Sequence, residues 1–278
     1  MLENIKAHHN TVLVIEHDLS IIQAADEIIE MGPGAGVEGG KVVYQGDLSG
    51  LKNAQTATTL NAPLHINDEP RQANQFFTIE GARHNNLKNV SVNIPQNVLV
   101  SVCGVSGSGK SSLMTDAFTE RYPETIAVGQ GSIGTSSRST LATYMGIMDD
   151  IRSIFSKETR QPAGLFSFNS LGACPACKGK GVITPDVAFA DPVTVRCESC
   201  DGTRYSNEAL SYRYEDKNIV EILNLTIDEA MNYFILPRIT KRVQTLKEVG
   251  LGYLTLGQTT GSLSGGEVQR LKLASHLQ

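Results

Sequence analysis

At 278 residues the chain has room for a substantial core and more than one subdomain. With 19% charged and 40% hydrophobic residues it has the composition of a soluble globular protein, and no apolar run approaches the length of a membrane span. A formal charge of -5 gives the whole molecule no basic signature for nucleic acid, and the N-terminus lacks a charged-then-apolar signal segment, so a cytoplasmic chain is the expectation.

The opening reads as the tail of a unit. Residues 11–15 are a β-branched run that predicts a strand, and Asp18 or Ser20 can cap a following helix with face Ile21, Ile22, Ala25, Ile28 and Ile29. Gly32-Pro33-Gly34 and Gly39-Gly40 mark turns around a last strand, residues 41–44. His17 follows the first strand at the end where open α/β sheets place ligands, although position alone leaves a structural histidine as the plainer reading. Residues 50–75 hold no aromatic side chain and read as a linker or loosely packed connector. Phe76-Phe77-Thr78-Ile79 begins the next unit, and residues 86–95 alternate polar and apolar like a half-exposed antiparallel strand.

Gly104-Val105-Ser106-Gly107-Ser108-Gly109-Lys110-Ser111 is a full match to the phosphate-binding pattern G-x-x-x-x-G-K-[ST]. Residues 98–103 before it read as a buried parallel strand ending in Cys103, a small core residue. Leu113, Met114, Ala117 and Phe118 after it define one face of a helix. Strand, glycine loop and helix are the arrangement in which backbone N–H groups and a helix N-terminus cradle a polyphosphate. Lys110 is expected on the β/γ-phosphates and the Ser111 hydroxyl on Mg2+, with Ser112 beside it. This is a nucleotide site.

Gln130 sits after a short apolar stretch, residues 126–128, and by residue physics alone is a polar residue after a strand. A helix is expected around residues 148–155. Cys174-Pro175-Ala176-Cys177 and Cys197-Glu198-Ser199-Cys200 then match C-x2-C…C-x2-C, the spacing of a tetrahedral zinc site. Four thiolates close the coordination sphere, so the Zn2+ is structural and holds a small insert; a redox dithiol pair is the competing reading. Gly179, Gly181 and Gly202 let the backbone curl around the ion. Thr226 and Glu229 form a capping box, and Ile239, Val243, Leu246 and Val249 line a helix stopped by Gly250. Leu263-Ser264-Gly265-Gly266-Glu267 opens a last helix through a second capping box, with face Val268, Leu271 and Leu277. Its glycine N–H groups, serine hydroxyl and positive dipole end make an anion site, and two glycines in a first turn point to close approach by a ligand.

The glycine loop and Leu-Ser-Gly-Gly-Glu together resemble the nucleotide-binding domain of ABC ATPases, and the four cysteines between them narrow the likeness. Residues 106–113, 171–205 and 254–273 resemble the second ABC half of the UvrA family, the damage-recognition subunit of the bacterial excinuclease. Asn85-Asn86-Leu87-Lys88-Asn89-Val90 and Ala142-Thr143-Tyr144 strengthen the match. The resemblance implies an α/β fold, a P-loop ABC ATPase-type nucleotide-binding domain with an inserted, mainly helical, zinc-containing signature domain. It implies residues 1–50 as the end of a first ABC half, 51–75 as linker, 76–135 as the start of the second nucleotide-binding domain, 136–260 as the insert and 261–278 as signature and helix. By it His17 is the switch histidine, Gln130 the Q-loop glutamine, and Ser264, Gly265, Gly266 and Glu267 cap a nucleotide on the opposite half.

ATP, DNA, a UvrB-like excinuclease subunit and a second copy in a homodimer follow as partners, with no membrane. The acidic metal strand and catalytic glutamate are not found, so nucleotide binding with little hydrolysis is expected. Residues 129–134 and 139–141, and Ala173 in place of a common arginine, depart from the family pattern and suggest a divergent branch, such as drug self-resistance. An ABC ATPase of another class, such as a transporter motor or translation factor, and a non-catalytic module are the other readings.

Overall fold

A strand exists only where a neighbour pairs with it, and that rule decides which apolar runs of this chain become sheet. The computed structural model describes residues 11–16, 18–36, 39–51, 55–62, 68–129, 131, 133, 138–184 and 194–277. His17 and Gln130 lie outside the described residues. The chain divides into two units, Met1–Pro70 and Arg71–Gln278.

In the first unit the Asp18 carboxylate accepts from the Ser20 N–H at 2.8 Å and caps a short helix, α1, Leu19–Gln23. Strands β1 (Ile28–Gly32) and β2 (Lys41–Gly46) pair antiparallel, Ile29 opposite Gln45 and Met31 opposite Val42. Ile28 and Ile29 therefore belong to a strand and not to the helix face their spacing suggests. Ala24 closes the helix, and a pairing strand satisfies the β-branched residues better than a further turn does. Helix α2 (Gln55–Asn61) falls inside the stretch that reads as a connector. Ile28, Leu51 and Ala57 bury together there. Residues 11–15 form no strand: Leu13, Val14 and Ile15 are exposed and have no pairing partner among the described residues.

In the second unit β3 (Phe76–Ala82) and β4 (Val90–Pro95) form an antiparallel pair with Phe77 opposite Ile94 and Ile79 opposite Val92. Ile79, Ala82 and Ile94 pack on Ala117 and Phe118 of the helix that follows the glycine loop. Phe77 meets Phe118 and Tyr122 edge-on, at ring separations of 5.3 and 4.7 Å. The helix winds as a π-helix over Ser112–Phe118 before a last α turn, α3, Thr119–Arg121. Its buried Ser112 and Ala117 stand one i→i+5 turn apart. The run at residues 98–103 is not the buried parallel strand expected: Leu99 is 100% exposed and Cys103 is exposed, not core. Residues 11–15 and 98–103 miss sheet for one reason, the lack of a neighbouring strand among the described residues.

The rest of the unit is helical around one larger core. It comprises α4 (Leu141–Tyr144), α5 (Ile147–Thr159), the hairpin β5 (Val182–Ile183) with β6 (Val195–Arg196), then α6 (Asn207–Ser211) and α7 (Ile219–Leu223). Helices α8 (Ile227–Tyr233), α9 (Pro237–Glu248) and α10 (Gly265–His276) complete it. Ile147, Ile151, Phe155, Ile222, Ile239 and Leu246 are fully enclosed in that core. Thr226 and Glu229 form the expected capping box at α8. At the end of α9, Gly250 takes φ +77° and donates to the Lys247 carbonyl while Leu251 donates to that of Leu246, a Schellman stop. The chain enters and leaves this body through a narrow neck, where the Thr260 N–H donates to Ser139 at 3.0 Å and the Leu141 N–H to Gln258 at 2.8 Å. Helix α10 buries Val268, Leu271 and Ala274 in the same core. Leu277, expected on that face, is exposed, because the helix closes at His276.

Candidate functional site

The glycine loop lies open to solvent and is shaped by backbone angles that only glycine takes easily. Gly104, Gly107 and Gly109 have φ of +147°, +77° and +95°. Lys110 turns back over the loop, its Nζ donating to the carbonyls of Gly104 and Val105 at 2.8 Å each. The Ser108 N–H donates within the loop to Val105 at 3.2 Å. The lysine, the loop amides, the N-terminal turn behind them and the exposed Ser111 are the groups that can hold a polyphosphate and its metal ion. Ser112, by contrast, is buried and its Oγ accepts from the Asn85 side chain at 3.0 Å. Asn86 and Leu87 bear on the loop and Asn85 on the helix after it, a role their side chains alone do not announce in the sequence.

The four cysteines converge. Their Sγ atoms all lie within 4.8 Å of one another and all four residues are buried. Tetrahedral Zn–S bonds of about 2.3 Å require S···S separations of about 3.8 Å, and Cys177 and Cys200 stand 3.7 Å apart. The two knuckles are built alike. Lys178-Gly179 and Asp201-Gly202 both occupy the left-handed region, and Lys180 and Thr203 donate to the carbonyls of Cys177 and Cys200. A side chain at Gly179 would place its first carbon 1.8 Å from the Phe168 carbonyl oxygen, so only glycine fits. The Gly181 N–H donates to the Cys177 sulfur at 3.2 Å, as amides do to metal-bound thiolates. Burial opposes ionisation at Cys174 and Cys200. At Cys174 the amides of Cys177 and Ala176 outweigh it and bring the thiol down to about 7, whereas at Cys200 burial dominates and pushes it up to about 12. The soft, closed, four-sulfur set is compatible with zinc.

At the head of α10 the capping box forms as its spacing predicts. Ser264 Oγ accepts from the Glu267 N–H at 3.4 Å and the Ser264 N–H donates to Glu267 at 2.7 Å. Tyr253 donates its hydroxyl to the other carboxylate oxygen at 2.5 Å, a partner that sequence spacing does not reveal. Burial pushes the Glu267 carboxyl up, but the Tyr253 and Ser264 hydrogen bonds and the Arg270 charge hold it below the usual range. Both oxygens are thus committed to the cap. Gly265 and Gly266 have open space where a side chain would begin, so nothing within the described residues requires glycine there. Farther along, Lys272 donates to the carbonyls of Gly129 and Gly131, at 2.9 and 2.6 Å. Ser264→Ala is expected to lower stability by about 1 kcal/mol, the usual worth of an N-cap, measured by thermal or urea unfolding. An unchanged midpoint would show that Glu267 and Tyr253 hold the turn without it.

A family model described as ABC transporter matches residues 87–278, which hold both the glycine loop and the head of α10. The chain belongs to the ABC transporter family. This chain is 40% identical, over 99% of its length, to UvrABC system protein A of Clostridium acetobutylicum, covering 33% of that protein. It is 41% identical over 96% of its length to the protein of the same name from Halalkalibacterium halodurans, covering 32%. The crystal structure of UvrA2 from Deinococcus radiodurans superposes with a TM-score of 0.89 at 40% identity, covering 99% of this chain and 37% of that one. The ABC ATPase fold of that structure, mixed α/β, is therefore the fold here. The chain spans about a third of the length of the curated relatives it matches. Among the described residues no helix is long and apolar enough to cross a membrane.

Proposed function

We propose that this chain is the nucleotide-binding part of a UvrA-like ABC ATPase that works in the repair of damaged DNA by nucleotide excision. The observation that carries the reading is the open loop of residues 104–111, with its lysine, serine hydroxyl and helix start, in a chain so similar to the UvrABC system proteins. In this reading Gly104, Gly107, Ser108, Gly109, Lys110 and Ser111 hold ATP with Mg2+, with Ser112 supporting them from the buried side. Ser264, Gly265 and Gly266 cap a nucleotide held by another half, Glu267 keeps their turn in shape, and the bare glycine positions support such an approach. His17 and Gln130 complete the set as switch histidine and Q-loop glutamine. Cys174, Cys177, Cys197 and Cys200 hold a structural Zn2+ in the insert.

The proposed layout runs from the end of a first ABC half (1–50) through a linker (51–75) to the second half (76–135), the insert (136–260) and the signature helix (261–278). In the longer protein the partners are DNA, a UvrB-like subunit and a second copy, in the cytoplasm. Calorimetric titration of the chain should show Mg·ATP and Mg·ADP binding at least roughly tenfold tighter than AMP, since the loop reads the polyphosphate. For the longer protein, log affinity for damaged duplex should fall with log salt at a slope of about -3 or steeper. Equal affinity for AMP would refute the loop reading, and a flat salt response the nucleic-acid one.

A further inference from the structure

Two neighbouring side chains from the β3–β4 turn, Asn86 and Leu87, bear on the glycine loop from outside it, and Asn85 before them bears on the helix that follows. Asn86 Nδ2 donates to the Gly107 carbonyl at 2.6 Å, and since a carbonyl only accepts, the amide must present its nitrogen there. A Cβ at Gly109 would lie 2.9 Å from Leu87 Cδ2 and 3.0 Å from Asn86 Oδ1, so the glycine admits both side chains against the loop. Asn85 Nδ2 donates to Ser112 Oγ at 3.0 Å and to Asp116 Oδ2 at 2.9 Å, fixing the first turn of the helix beyond. The turn itself is closed by the Leu87 N–H on the His84 carbonyl at 2.9 Å, with Asn85 in the left-handed region at φ +49°. One short turn thus grips the middle of the loop, its end and the helix it feeds.

We infer that Asn86 is a positioning residue for polyphosphate binding, holding the Gly107 peptide so that the loop keeps the shape its ligand needs. The inference rests on the proposal that residues 104–111 bind the nucleotide. A peptide plane is rigid, so anchoring the Gly107 oxygen also fixes the direction of the Ser108 N–H. Gly107 can take many backbone angles, and without the anchor that freedom must be given up on binding. Asn86 is exposed and its acceptor can turn to water, so its loss acts on affinity and not on folding.

The test is calorimetric titration of the 278-residue chain and three variants with Mg·ATP and Mg·ADP, beside their thermal unfolding midpoints. Asn86→Ala should weaken both nucleotides roughly three- to tenfold, the worth of one hydrogen bond, with the midpoint unmoved. Asn86→Asp should weaken them roughly threefold further, because a carboxylate faces both the Gly107 carbonyl and the incoming phosphates. Asn86→Gln, which keeps the donor, should recover part of the loss. Parent-like affinity in both Asn86→Ala and Asn86→Asp would overturn the brace while leaving the nucleotide reading intact. Losses that track a falling midpoint in all three variants would reduce it to a folding contact. Failure of the parent chain to bind either nucleotide would overturn the nucleotide reading and the brace with it.

Discussion

Lys110→Ala should weaken Mg·ATP binding roughly 100-fold, a loss of about 3 kcal/mol, in equilibrium titration of the chain. The side chain has two jobs in the proposed site. In the structure its ammonium rests on the Gly104 and Val105 carbonyls, both exposed, which can turn to water once it is gone. With a nucleotide it supplies the point charge on the β/γ-phosphates, where hydrogen bonds between charged partners are worth most. The substitution should therefore leave the unfolding midpoint within about 2 °C of the parent, since changes at exposed positions are worth about 0.5 kcal/mol or less. Parent-like affinity would mean that the loop is not the binding site. Lys110→Arg should not rescue it fully, because a planar guanidinium does not reproduce the compact point charge of an ammonium.

On the proposed four-thiolate zinc site, Cys197→Ser should take the chain from one zinc ion to none by metal analysis and open the segment between residues 170 and 206 to protease. Structural zinc contributes on the order of 10 kcal/mol in small modules. The four sulfurs form a cluster of their own, with few apolar side chains to replace them. The damage should stop at the module's root. There Tyr205 stacks edge-on against Phe168 at 5.6 Å and donates to the Phe166 carbonyl at 3.3 Å, tying the module to the large helical core. Far-UV circular dichroism should accordingly change little. Zinc affinity should fall as pH falls: a thiol raised to about 12, as at Cys200, is protonated in the metal-free protein, and binding must expel that proton. Zinc retained by Cys197→Ser, or affinity rising with acid, would contradict the four-thiolate site.

The features legible in the sequence are those set by short-range spacing. The glycine loop is spelled within eight consecutive residues, and both cysteine pairs and the capping boxes at Thr226 and Ser264 depend on residues three positions apart; the capping boxes form and the four cysteines converge. Helix α9 and its glycine stop were equally legible, since one helix face and one left-handed residue suffice. Residues 11–15 and 98–103 were not, because a strand is a property of two segments and composition describes only one. Cys103 went wrong with its strand. Ile28 and Ile29 fit a helical face and a strand equally well, and β2 decides between them. Asn86 and Tyr253 were out of reach for another reason: their partners, Gly107 and Glu267, lie far along the chain and are joined only by folding.

The neck at Ser139 and Thr260 looks like the seam of an interchangeable part, where a segment could be removed and the ends rejoined. Helix α10 forbids that. Its stripe of Val268, Leu271 and Ala274 is buried in the core that α4 to α9 build, whereas the glycine loop's helix packs on β3 and β4. Excision at the neck would leave the head of α10 with its sequence unchanged and its apolar side bare. The helical body and α10 are therefore one packing unit, in which a side chain can be exchanged far more readily than the body can be removed.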